Sequence, residues 1–87
     1  MLRKVSLHSS IKNIYKHVQN NKNLSTDDIK MFQDNIIKRD QSGEWCYNFA
    51  RFVLNADIEK LQNAVIEKDK TSEWCYRFAR NVSNANI

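Results

Sequence analysis

Residues 28–56, DIKMFQDNIIKRDQSGEWCYNFARFVLNA, run directly into residues 57–85, DIEKLQNAVIEKDKTSEWCYRFARNVSNA, and 15 of the 29 paired positions are identical. Self-similarity at such a period marks a stacked-repeat architecture, in which each unit buries its apolar face against the next. Within the first unit Ile29, Phe32, Ile36 and Ile37 recur at helical spacing, and Ile58, Leu61, Val65 and Ile66 reproduce them. A second apolar arc follows in each unit: Trp45, Cys46, Phe49, Ala50 and Val53, then Trp74, Cys75, Phe78, Ala79 and Val82. Each unit therefore reads as a helical hairpin, with helices expected near 28–39, 43–54, 57–68 and 72–83.

The punctuation agrees with that reading. Asp28 and Asp57 stand where an N-cap would accept amide hydrogen bonds, and Glu44 and Glu73 fall in the first turn of the second helices. Asn55 and Asn84 suit the left-handed residue that ends a helix. Proline is absent and Gly43 is the single glycine, so helices joined by short Asn, Asp and Ser connections are favoured over hairpin strands.

Ahead of the repeats, Ile11, Ile14, Tyr15 and Val18 predict one more helix, near 9–21, opened by Ser9 or Ser10. Its Ser9–Tyr15 stretch faintly matches Thr71–Tyr76, as a degenerate half-repeat covering the first hairpin would. The fold expected is all-α: one domain, 1–87, made of a short solenoid-like stack of two hairpins (28–56 and 57–87) behind an N-terminal capping helix (1–27). Trp45 and Phe49 are expected to bridge both hairpins. Asn81 and Ser83, which replace Phe52 and Leu54, are expected to make the outer surface of the last helix a polar C-terminal cap.

The repeat wording resembles tandem helical-hairpin repeats of about this length in uncharacterised proteins of low-GC bacteria and their phages, through Asp57-Ile58-Glu59-Lys60-Leu61 and Glu73-Trp74-Cys75-Tyr76-Arg77-Phe78-Ala79-Arg80. Trp45 and Trp74 depart from it, since a smaller residue is expected there. The resemblance implies a helical scaffold and no activity.

Formal net charge is +4, and it is concentrated. Residues 1–27 carry Arg3, Lys4, Lys12, Lys16 and Lys22 against Asp27, so +5 − 1 = +4, whereas each repeat is neutral. A polyanion would be drawn to the N-terminal segment, with Lys38 and Arg39 as further contributors. No stretch approaches the roughly 18 apolar residues of a membrane span, and Met1–His8 lacks the apolar core of a secretory signal. A cytoplasmic protein that is a monomer and binds no membrane is expected.

Chemistry has little to stand on. Cys46 and Cys75 occupy equivalent positions too far apart for a disulfide and without further ligands at zinc-like spacing, so both are expected to be small buried hydrophobes. His8 and His17 have no acidic or cysteine neighbour that would make a metal set or a nucleophile pair. No nucleophile elbow, phosphate-binding glycine loop or paired carboxylates appear. No catalytic residues, no metal and no cofactor are expected, and the chain is not read as an enzyme.

Gln33 and Gln62 fall inside the apolar arc, where a buried amide must find partners. Loop backbones between units would supply them. On the opposite arc of the second helices lie Tyr47 and Arg51, repeated as Tyr76 and Arg80 with Arg77 beside them, a ladder of residue types enriched in protein-binding hot spots. The competing reading is that stacking alone demands these residues at the seam. The leading expectation is a protein-interaction module, and the resemblance extends it to a small phage-encoded or accessory inhibitor that binds a host protein complex. The alternative is a nucleic-acid binder using Arg3, Lys4, Lys12, Lys16 and Lys22.

Overall fold

The computed structural model describes residues 9–82 and Ala85. Every regular element among them is helical: α1 (Ile11–Asn20), α2 (Thr26–Arg39), α3 (Glu44–Phe52), α4 (Ile58–Lys68) and α5 (Glu73–Asn81). The all-α fold and the five expected helices are therefore present.

Local chemistry sets their ends. The Ser10 hydroxyl accepts from the Asn13 N–H at 3.2 Å, and the Asp57 carboxylate accepts from the Lys60 N–H at 3.1 Å. Asp28 does not cap α2. Ser25 does, accepting from the Asp28 N–H at 3.1 Å, so the helix begins earlier and places Asp27 and Asp28 in its first turn. Asn55 takes the left-handed conformation expected of it, at φ 66°. Asn84 and Ser83 lie outside the described residues.

α3 is the centre of the molecule and packs against α1, α2, α4 and α5. Ile14, Ile36, Cys46, Phe49, Leu61, Val65 and Phe78 are wholly buried around it. The Tyr15 and Trp45 rings meet at 5.6 Å, and the Tyr47 and Trp74 rings meet at 5.7 Å. The same contact thus recurs one unit apart, with α1 beside α3 as α3 is beside α5. No described helix is long and apolar enough to cross a membrane.

The packing departs from expectation on α3. Trp45 is only half-buried and packs its ring on Tyr15 of α1. Tyr47, expected to face away from the core, bridges the hairpins, touching Trp74 and, at 6.4 Å between centroids, Phe78. Phe52 and Leu54 are 49% and 81% exposed, so neither is covered by the second hairpin. Their counterpart Asn81 is exposed as well, and Ser83 lies outside the described residues.

Candidate functional site

The second helix of each hairpin is positioned by a carboxylate at the end of the first. Asp40, 2% exposed, accepts from the Cys46 N–H at 2.9 Å and the Ser42 N–H at 3.2 Å. Asp69 accepts from the Trp74 and Cys75 N–H groups at 2.7 and 2.9 Å, and from the Thr71 N–H and hydroxyl at 2.9 Å each. These acids satisfy donors at helix N-termini that would otherwise be orphaned. Burial pushes the Asp69 carboxyl up, but the donors of Cys75, Thr71 and Trp74 together outweigh it and hold the group down at about 2.

Between these acids and the helices the chain must turn through positive φ: Gly43 at 94° and its counterpart Ser72 at 69°. A Cβ on Gly43 would make only ordinary contact with Val65, at 3.4 Å from its Cγ1, so the positive φ rather than space is what favours glycine there. Gln33 fixes the joint between hairpins, accepting the Asp57 N–H at 2.8 Å, as its place in the apolar arc implied. Gln62, buried in the equivalent position, is also partnered. Lys60 and Asp34 add an exposed ion pair at 2.7 Å between α4 and α2.

The predicted ladder divides in two. Tyr47 is 3% exposed and belongs to the core; its hydroxyl accepts from Arg51 at 3.0 Å and from the Asn81 amide at 2.9 Å. It is therefore removed from the binding surface and assigned to the seam. Arg51 stays exposed, with its guanidinium 4.8 Å from the Phe52 ring centre. Tyr76 is 63% exposed. Beside it Arg77 pairs with Glu73 at 2.8 Å and lies over Trp74 at 4.9 Å, and Arg80 is exposed.

The same asymmetry runs through the rest of the face. Cys46 and Ala50 are buried, whereas Cys75 is half-buried and Ala79 exposed; half-buried Ile37 becomes Ile66, 51% exposed. Residues buried or half-buried on the first hairpin are thus repeated on the second in more exposed positions. Sequence inspection missed Ile66 and Ala79 because equivalent positions were assigned equivalent burial.

Lys12, Lys16 and Lys22 are exposed on and after α1, while Arg3, Lys4 and His8 lie outside the described residues. Arg39 is engaged, donating to the Ser9 carbonyl at 2.7 Å. His17 packs edge-on against Phe32 at 5.5 Å and lies 3.3 Å from the Asn21 amide. Both cysteines are free thiols, and burial together with the neighbouring Asp40 or Asp69 pushes each above its ordinary range. Among the described residues no cluster of three or more His, Cys, Asp or Glu side chains could hold a metal.

No family model, no curated protein and no solved structure matches the chain.

Proposed function

We propose that this chain is a non-enzymatic protein-interaction module, and that its working surface is the outer face of α5, with Tyr76, Arg77 and Arg80 as the anchoring side chains. One observation carries the reading: Tyr76 is 63% exposed although its counterpart Tyr47 is 3% exposed. On α3 that position receives Trp74, Phe78 and the Asn81 amide from the second hairpin. On α5 it offers an aromatic ring flanked by guanidiniums, the residue types that dominate interface energetics. The resemblance to hairpin repeats of low-GC bacteria and their phages supports the further proposal that the partner is a host protein complex which the chain inhibits.

The competing reading is nucleic-acid binding through Lys12, Lys16 and Lys22, favoured by the concentration of the +4 net charge in residues 1–27. Pull-down from the native cell, repeated after nuclease treatment and with two paired variants, separates them. Tyr76→Ser with Arg80→Ala should weaken a nuclease-resistant complex by about 2 kcal/mol or more while preserving the fold. If binding survives that change but collapses with Lys12→Glu and Lys16→Glu and falls steeply with salt, the basic helix is the working surface.

A further inference from the structure

A second feature separates the two hairpins, and it lies away from the α5 face. Phe52 and Leu54 are exposed, yet repeat two carries Asn81 and Ser83 at the matching positions. Asn81 spends its amide on the Tyr47 hydroxyl, an ordinary role at the seam. Repeat packing therefore has no requirement for apolar side chains there, and repeat one keeps two of them in water.

These side chains wall a pocket of about 200 Å³ between the end of α1, the start of α2 and the link after α3, with Val18, Leu24 and Ile29 as its apolar floor. The volume is below that of typical small-molecule sites and suits one bulky side chain. Lys22 is the one charged side chain among the described residues that line the pocket, and next to it Arg51, which donates to the Tyr47 hydroxyl, holds its guanidinium 4.8 Å over the Phe52 ring. No carboxylate is among the described residues that line it.

From the repeat difference, the pocket and this one-signed rim, we infer that the Phe52/Leu54 pocket is a docking site for an acidic peptide segment, seating one bulky apolar side chain between Phe52 and Leu54 and pairing its carboxylates with Lys22 and Arg51. The site is independent of the α5 face. Burial of the anchor supplies affinity, and the rim selects the charge of the segment that carries it.

The test is selection of short random peptides displayed on phage against the full chain, followed by anisotropy measurements on a fluorescein-labelled peptide of the enriched sequence. The expected consensus is a Leu, Phe or Trp among Asp and Glu. Phe52→Asn with Leu54→Ser, which gives repeat one the residues of repeat two, should weaken that peptide by about tenfold or more while a cooperative melt is retained. Lys22→Glu, on an exposed loop, should weaken it as well and reduce its salt dependence, and it decides the matter if the double variant misfolds. Tyr76→Ser should change nothing. A basic consensus, no enrichment, or equal affinity for the Lys22→Glu chain would overturn the inference. So would self-association abolished by the double variant, which assigns the pocket to a second copy, or binding to phosphatidylserine vesicles in preference to the peptide.

Discussion

α3 and α5 read EWCYNFARF and EWCYRFARN, differing only at Asn48/Arg77 and Phe52/Asn81. Yet Cys46, Tyr47, Phe49 and Ala50 are buried in α3, whereas only Phe78 is buried in α5. Burial here is a property of neighbours rather than of helix sequence: α3 lies against four helices, α5 against α3 and α4. The comparison also motivates the proposed binding face, because Tyr76 repeats a core tyrosine and is exposed.

The largest expected effect breaks the comparison at its centre. Tyr47→Ala should destabilise the fold by about 3–5 kcal/mol, as truncation of a buried aromatic does, whereas Tyr76→Ala should stay within about 0.5 kcal/mol. Urea unfolding of both variants checks this, and equal losses would mean that α5 is covered as α3 is. A smaller asymmetry is expected at the joints. Gly43→Ser imports the repeat-two residue into a positive-φ site and should cost about 1–2 kcal/mol in the same assay.

Acid tests the capping role of Asp69. Asp69 titrates at about 2 when folded, below the roughly 3.9 of an unfolded aspartate. Its contribution is therefore fully present above about pH 4 and is lost as pH falls from about 4 toward 2. Thermal melts across that window should show Asp69→Asn flattening the acid decline relative to the parent chain. Smallest of all, Leu54→Ser should alter stability by no more than about 0.5 kcal/mol, because Leu54 is 81% exposed.

Much of the fold was legible. Apolar spacing located five helices, the half-repeat pointed to a first helix packed on the first hairpin, and a glutamine in an apolar arc pointed to the Gln33 bond at the joint. The site was less so. A helical wheel with one core arc assumes that a helix packs on one side, and α3, enclosed by four helices, buries Tyr47 on the arc assigned to solvent. Asp28 was favoured as a cap by its alignment with Asp57, but Ser25, three residues earlier, reaches the amide first. Asp40 and Asp69 were identical in both repeats; their role depends on the positive-φ turn that brings the following helix back to them, which spacing does not reveal.

The central claim is that one of two equivalent tyrosines is held by the core and the other is kept for a partner. Tyrosine nitration by tetranitromethane, read by mass spectrometry on the free chain and on the complex recovered from the native cell, tests it most directly. The account predicts that Tyr76 reacts in the free chain and is protected in the complex, while Tyr47 is inert in both. Equal modification of Tyr47 and Tyr76 in the free chain, or a Tyr76 that stays fully reactive in the complex, would contradict it.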